Sequence, residues 1–320
     1  MLSFHEIVTG NLSLLEKKGE IFISSIKERM RQSISYIENE YENNEKFNSS
    51  LFFISHFLID TIKSNELAGN YPIVEARKEL DNSIKHALIG SYKCAFFDLR
   101  KALELALVIP YFNSETSNVM EVKNWINSKS NTPGFSKIMS KLLKNQYFKE
   151  FNNEHQWKSN IQKLYRKLSD IVHNKGIENS YEKLNNQRSY LGTTTIPKIN
   201  FTTLKTFCDL YIQTVEEIII IMILYNPIIL VGLPLEEKYG FFEPLTGFFQ
   251  QGQADILHRL IPNNYKDYFK DLAENDPQIE AIANHINSLP NLTKEELKKQ
   301  EIEFRKVFKS INIEDVNKII

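Results

Sequence analysis

An arginine and a histidine, Arg166 and His173, stand seven residues apart in the segment 162–176, which reads QKLYRKLSDIVHNKG. Seven residues correspond to about 700° of α-helical rotation, so in a helix the two side chains point within roughly 20° of each other. A guanidinium can hold a phosphate, and an imidazole can move a proton near neutral pH. The pair is therefore a minimal set of groups for cleaving RNA.

The same segment predicts the amphipathic helix that positions this pair. Ser169 and Asp170 flank the arginine and the histidine on the polar face, and the opposite face is apolar. The residues of that apolar face are Ile161, Leu164, Tyr165, Leu168, Ile171 and Val172.

A purely structural reading of the pair stays open on spacing alone. Arg166 and Asp170 have the i,i+4 spacing of an ion pair within a helix. His173, followed by Lys175 and Gly176, is also typical of a helix C-terminus, where glycine forms a left-handed cap and cations lie near the negative end of the helix dipole.

Basic residues are concentrated around the pair, although the whole chain has a net charge of only -1. Residues 121–176 contain eleven lysines and arginines against four acidic residues. A basic stretch of this kind is what a polyanion-binding surface needs. Lysines on solvated helix faces give the same count, so the sequence leaves both interpretations open.

Composition predicts an all-α fold. The chain has 320 residues, of which 42% are hydrophobic and 25% charged, as in ordinary globular proteins. Only 11 glycines and 10 prolines are present, which favours long helices over many short strands. Apolar residues recur at three- and four-residue steps, and the predicted helices lie near residues 23–41, 51–62, 72–88, 91–110, 135–143 and 201–225, with one that carries the Arg/His pair and a short one around Trp125.

The predicted organisation is a helical bundle over residues 1–232 and a C-terminal appendage over residues 233–320. The appendage is expected to pack on the bundle through aromatic residues and to contain two short helices. Asp276-Pro277 predicts the start of one of them, and Thr293 with Glu296 predicts a capping box for the other. The aromatic residues are Tyr239, Phe241, Phe242, Phe248 and Phe249.

The most apolar stretch, Ile218 to Val231, is too short to span a bilayer and is interrupted by Asn226-Pro227. It predicts either the central helix of the bundle or the seam of a dimer, and no membrane association. The two cysteines, Cys94 and Cys208, are interpreted as small buried hydrophobes in a reducing compartment. No secretory signal is visible, so the predicted location is the cytoplasm.

Familiar cofactor and metal motifs do not occur. The chain has no Gly-rich phosphate loop, no HExxH, no cysteine and histidine quartet and no G-x-S-x-G elbow. Its seven histidines are scattered without metal-ligand spacing. The sequence therefore predicts neither a cofactor nor a bound metal.

The two predicted helices around Gly90, with the pattern LRKALELAL at residues 99–107, and the segment YRKLSDIVHNKG at residues 165–176 resemble the HEPN superfamily. This superfamily consists of all-helical bacterial and archaeal domains, and its active members carry an R-x(4-6)-H motif. The resemblance covers roughly residues 72–225. Arg166 and His173 fit the motif at its longest spacing, and Lys167 follows the arginine where family members often have Asn, Asp or His.

The resemblance implies a metal-independent endoribonuclease of a bacterial defence or toxin system. It implies a homodimer in which two copies of the motif face each other across a cleft that binds RNA. His173 would act as general base or acid toward the ribose 2'-hydroxyl and the leaving oxygen, and Arg166 would stabilise charge on the scissile phosphate. Lys167, Asn174 and Lys175 would add substrate contacts.

Two other functions stay open at this point. Many HEPN-like domains have no catalytic role, so the chain is alternatively a helical module that binds a protein partner or antitoxin, with Arg166 and His173 as surface or interface residues. A small-ligand site between bundle and appendage is the third hypothesis, and it depends only on the aromatic cluster 241–249.

Overall fold

The helical periodicity of the sequence is realised as helices along the whole described chain. The computed structural model describes residues 4–63, 68, 70–114, 117–173, 175–185, 199–244 and 246–310, and leaves aside the side chains of residues 4–18, 21–22, 181–182, 304–305 and 307–310. The described residues contain α-helices, short 3-10 turns and no strand, which confirms the predicted all-α fold. In chain order the helices are α1 (Phe4–Tyr41), α2 (Glu45–His56), α3 (Tyr71–Leu88), α4 (Tyr92–Phe112), α5 (Val119–Ile126), α6 (Phe135–Leu142), α7 (Gln146–His155), α8 (Trp157–Val172), α9 (Tyr181–Leu184), α10 (Phe201–Tyr225), α11 (Leu235–Tyr239), α12 (Gln251–Leu260), α13 (Lys266–Asn275), α14 (Pro277–Ser288) and α15 (Lys294–Ser310).

The hairpin of α3 and α4 turns at Gly90, as predicted. Gly90 has a φ of 75°, a conformation that a residue with a Cβ rarely adopts. Two side-chain contacts join the helices: His86 Nδ1 lies at hydrogen-bond distance, 2.6 Å, from Asp98 Oδ2, and Lys101 forms an ion pair with Glu79. The hairpin is thus fixed at its turn and along its polar side.

Helix α4 extends two residues past Pro110, where the sequence predicted its end. A proline removes one backbone hydrogen bond from a helix. The side chains of Tyr111 and Phe112, which complete the last turn, are both buried in the core. Their burial outweighs the lost hydrogen bond.

Helix α10 is the central helix of the bundle. Every side chain from Ile218 to Leu224 is fully buried within the single chain. This observation decides between the two predicted roles of the apolar stretch, because no second subunit is needed to cover it. In the part of the chain that the structure describes, no helix is both long and apolar enough to cross a membrane.

Further local predictions were wrong. Helix α2 starts six residues earlier than expected, because the Asn44 side chain caps it by accepting a hydrogen bond from Phe47 N. Helix α7 was not predicted, although Asn145 caps it in the same way. Cys94 is exposed, because it lies on the outward side of α4, whereas Cys208 is buried as expected.

The C-terminal residues contribute to the same hydrophobic core as the bundle. Phe249 packs against Phe53 with ring centroids 6.3 Å apart, and Phe269 stacks on Phe151 at 5.1 Å. Phe241 and Phe242 are exposed, whereas Phe249 is fully buried in this core. The division of the chain at residue 232 stays a prediction.

The predicted caps near the C-terminus are present. Asp276 accepts hydrogen bonds from the backbone at the start of α14, and Thr293 and Glu296 exchange the two bonds of a capping box at the start of α15. The segment nevertheless contains more than the two predicted helices, since α11, α12 and α13 precede these two.

Candidate functional site

Helix α8 presents the Arg/His segment as the periodicity predicted. Its apolar side is buried through Trp157, Ile161, Leu164, Leu168 and Ile171. The helix ends at Val172, so His173 is the first residue beyond it, and its backbone N–H still bonds to Ser169 O at 2.9 Å. Gly176 has a φ of 79° but an extended ψ of 168°. It is therefore a glycine-specific exit from the helix and not the left-handed cap that was expected.

Arg166 lines a basic cleft between α8, α9 and the start of α10. The cleft has a volume of about 650 Å³ and is cationic at Lys163, Arg166, Lys167 and Lys183. Its remaining walls combine acidic groups, amides, hydroxyls and an apolar floor, contributed by Asp170, Glu178, Asn179, Asn200, Thr202, Thr203, Thr206, Phe96, Ile171 and Leu184. Lys167, which was predicted to contact the substrate, thus lines the same cleft as Arg166.

The alternative ion pair between Arg166 and Asp170 is not formed. Asp170 instead lies 3.3 Å from the ammonium of Lys175, which was also predicted as a substrate-binding residue. Among the described residues, Arg166 has no hydrogen-bond or ion-pair partner. Its guanidinium is exposed and available to an anion.

His173 is held by a second arginine, Arg100 of α4. Arg100 Nη1 lies 2.8 Å from His173 Nε2. A guanidinium can only donate hydrogen bonds, so the imidazole nitrogen accepts, and the proton of the neutral ring is on Nδ1. His173 is otherwise exposed.

The same guanidinium makes two further contacts. Arg100 Nε donates to Glu104 Oε1 at 3.0 Å, and Arg100 Nη2 donates to the Tyr165 hydroxyl at 2.9 Å. Tyr165 in turn donates to Glu104 Oε1 at 2.7 Å. We refer to Arg100, Glu104, Tyr165 and His173 as the Arg100 network.

Tyr165 anchors this network to the protein core. Its ring stacks on Phe135 of α6 with centroids 4.8 Å apart, and the Arg100 guanidinium lies 5.1 Å from the ring centroid. Burial, together with the hydrogen bond to Glu104, raises the pKa of the phenol. Tyr165 is therefore a neutral hydroxyl that connects α8 to α4.

The two motif residues, Arg166 and His173, therefore have different neighbours. Arg166 lines the cleft on the α10 side, whereas the His173 imidazole contacts Arg100 on the α4 side, and no hydrogen bond joins the two within the described chain. Asn174, the third predicted substrate-binding residue, lies outside the described residues.

The basic residues of segment 121–176 separate into groups. Three of them line the cleft of Arg166, and three others surround a hollow of about 380 Å³ beside Tyr111. In that hollow the Lys141 ammonium lies 4.3 Å from the Tyr111 ring centroid. The members of the second group are Lys137, Lys141 and Lys144.

Sequence reasoning missed the connection between Arg100 and His173. The i,i+4 spacing of Arg100 and Glu104 indicates their ion pair. Nothing in the sequence indicates that the same guanidinium reaches a histidine 73 residues further along the chain. Tyr165 was counted with the apolar face of α8, although its hydroxyl joins this polar network.

Comparison of the chain with family models, curated proteins and solved structures gave no match. Within the described residues, no group of three or more histidine, cysteine, aspartate or glutamate side chains is arranged to hold a metal ion. The cleft and the Arg100 network are therefore the features of the chain that indicate a function.

Proposed function

We propose that this chain is a HEPN-like metal-independent endoribonuclease of a bacterial defence or toxin system. The observation that carries the proposal is the exposed His173 imidazole, held at 2.8 Å by the guanidinium of Arg100 just beyond the end of α8, the helix that lines a basic cleft. An oriented histidine supplies proton transfer, and fixed cations supply charge stabilisation for a phosphodiester.

The cleft supplies a binding surface for the RNA backbone. Lys163, Arg166 and Lys167 face it from consecutive turns of α8, and Lys183 faces it from α9. Cations in such a row contact successive phosphates without reading the base sequence. The resemblance to HEPN domains adds a homodimer to the proposal, with the α8 segments of two subunits facing each other.

The test compares purified wild type with His173→Asn on single-stranded RNA in the presence of a divalent-metal chelator. We expect wild type to cleave the RNA under these conditions and His173→Asn to lose at least about 100-fold in rate. His285→Asn, which changes an exposed histidine on α14, is the matched control and keeps the wild-type rate. Intact RNA with wild type, or equal cleavage by His173→Asn, would overturn the proposal.

One observation favours a second candidate, a non-catalytic helical module that binds a protein partner. Every member of the Arg100 network has a partner inside the chain, as residues with a purely structural role do. This candidate predicts that His173→Asn leaves RNA intact as wild type does and lowers the free energy of unfolding. The same pair of proteins therefore separates the two candidates.

A further inference from the structure

We propose that Glu104, Arg100 and His173 form a phosphodiester-cleaving set within one protomer, with Glu104 as general base, Arg100 as phosphate ligand and His173 as general acid. This inference rests on the proposed function and assigns to it two residues outside the R-x(4-6)-H motif. It also removes the need for a second subunit to complete the reacting groups.

The carboxylate and the imidazole lie on either side of one guanidinium. Arg100 uses Nε for Glu104 and Nη1 for His173, and Nη2 donates to Tyr165. Arginine has five N–H donors, so two of them stay unused and can meet phosphate oxygens.

Both flanking residues keep one functional atom unengaged. Glu104 accepts its two hydrogen bonds, from Arg100 and from Tyr165, on Oε1 alone. Among the described residues, Glu104 Oε2 and His173 Nδ1 have no hydrogen-bond partner. A free carboxylate oxygen and an accessible imidazole beside a guanidinium are the groups that in-line cleavage of RNA needs.

A hollow that can take one base opens beside Arg100 and Glu104. It has a volume of about 240 Å³ and is lined by Phe97, Arg100, Lys101, Glu104, Leu105 and Thr132. The Phe97 ring is 48% exposed, although it belongs to a helix that is otherwise mostly buried. An exposed aromatic face next to an arginine can stack a base while the guanidinium contacts the adjoining phosphate.

The proposed step conserves protons and electrons. Glu104 Oε2 takes the proton of the ribose 2'-hydroxyl while the 2'-oxygen forms a bond to phosphorus. The bond from phosphorus to the 5'-oxygen breaks, and that oxygen takes a proton from the His173 imidazolium. The products are a 2',3'-cyclic phosphate and a free 5'-hydroxyl, and both side chains re-equilibrate their protons with water.

Protonation of His173 is coupled to phosphate binding in this arrangement. Once Nε2 carries a proton it can no longer accept from Arg100, so the Nη1–H is released toward the phosphate. The negative phosphate then lies between two cations that would otherwise repel each other. Arg166, which lines the cleft on the other flank of α8, binds a neighbouring part of the backbone and does not contact the reacting phosphate.

The kinetic test measures kcat and KM on a short single-stranded RNA for wild type, Glu104→Gln and Arg166→Gln. Glutamine keeps the Oε1 acceptor for Arg100 and Tyr165 but cannot take the proton, so we expect kcat to fall about 100-fold or more with KM within about threefold. Arg166→Gln should mainly raise KM. Arg31→Gln, at an exposed ion pair on α1, is the unchanged control. Wild-type kcat in Glu104→Gln would overturn the inference even if RNA cleavage itself is real.

A mixing experiment tests whether one protomer is sufficient. Equal amounts of Glu104→Gln and His173→Asn are unfolded together, refolded and assayed on the same RNA. A site contained in one protomer gives no recovery of activity. Partial recovery would show that the base and the acid come from different subunits, and would overturn the assignment to one protomer.

A binding test stays informative if no cleavage is found. An RNA with 2'-O-methyl sugars cannot form the cyclic phosphate, and its affinity is measured for wild type, Arg100→Gln and Phe97→Ala. We expect both variants to bind at least about tenfold more weakly, while Arg31→Gln binds as wild type does. If the wild-type protein leaves unmodified RNA intact and both variants lose affinity, the proposed cleavage is rejected, but the hollow beside Phe97 and Arg100 still binds RNA. Unchanged affinity in both variants would show that this hollow does not bind RNA.

Discussion

The hydroxyl of Tyr165 lies 2.7 Å from Oε1 of Glu104, although the two residues are 61 positions apart in the chain. This contact joins α8, which carries the Arg/His segment, to α4 of the central hairpin. Glu104 accepts this hydrogen bond and the one from Arg100 on Oε1, and its Oε2 has no hydrogen-bond partner among the described residues. The orientation of the Arg100 network thus depends on the hydroxyl of Tyr165, a partly buried residue.

Tyr165→Phe should lower the free energy of unfolding by about 1–3 kcal/mol, because it removes one hydrogen bond from Glu104 and one acceptor from Arg100, both charged groups. Urea denaturation followed by circular dichroism gives this difference. Tyr71→Phe is the matched control, since Tyr71 is exposed and its ring contact with Trp125 is kept. Equal stability of Tyr165→Phe and wild type would mean that the Arg100 network contributes nothing to holding α8.

Leu168→Ala should destabilise the fold by about 2–5 kcal/mol, because Leu168 is fully buried and the substitution leaves a cavity under α8. The adjacent exposed substitution Lys167→Ala should change stability by no more than about 0.5 kcal/mol. Thermal or urea denaturation of the two variants tests this contrast. Similar losses in both would contradict the observed orientation of α8.

Glu217 should make stability depend on pH. Its carboxylate accepts a hydrogen bond from Trp157 Nε1 at 2.8 Å, but burial raises its pKa from 4.5 to about 7. Because the folded pKa lies above the unfolded value, the contribution of Glu217 to stability is greatest below about pH 4.5 and is lost as pH rises to about 7. The loss amounts to at most about 3 kcal/mol.

The measurement is the free energy of unfolding from pH 4.5 to 8 for wild type and Glu217→Gln. The variant should gain on wild type as the pH rises through this window, since glutamine keeps the acceptor for Trp157 without a charge. Glu274→Gln, at an exposed residue of α13, should follow wild type. A difference between Glu217→Gln and wild type that stays constant with pH would show that Glu217 ionises normally in the fold.

Salt dependence should reveal which lysines meet RNA. If the cleft binds the backbone, the double variant Lys163→Gln and Lys167→Gln should bind single-stranded RNA more weakly. Its slope of log affinity against log salt should be shallower by about 1.4. The double variant Lys270→Gln and Lys298→Gln removes the same charge elsewhere on the surface and should keep the wild-type slope. Identical slopes for both double variants would place the RNA outside the cleft.

Local sequence patterns predicted the helices because burial follows their periodicity. The helix over residues 201–225 was predicted at its observed bounds, and α3 and α6 to within a residue or so. Predicted helix starts were wrong where a single capping side chain sets the start, as Asn44 and Asn145 do. The apolar pattern shows no break at these two positions.

Only part of the candidate site could be predicted from the sequence. Arg166 lies on the exposed side of α8, and His173 is exposed one residue beyond its end, as the amphipathic pattern predicts. Their neighbours are set by tertiary packing, which brings Arg100 to His173 and the start of α10 to Arg166. A helical wheel contains no information about contacts between residues 73 positions apart.

The burial of α10 has a consequence for how the protein opens. The amide protons from Ile218 to Leu224 lie in a helix that is covered on every side, so they can exchange with solvent deuterium only when the bundle unfolds as a whole. The amides of α14, whose buried residues Ile279 and Ile286 belong to a small separate cluster, should exchange through local opening well before them.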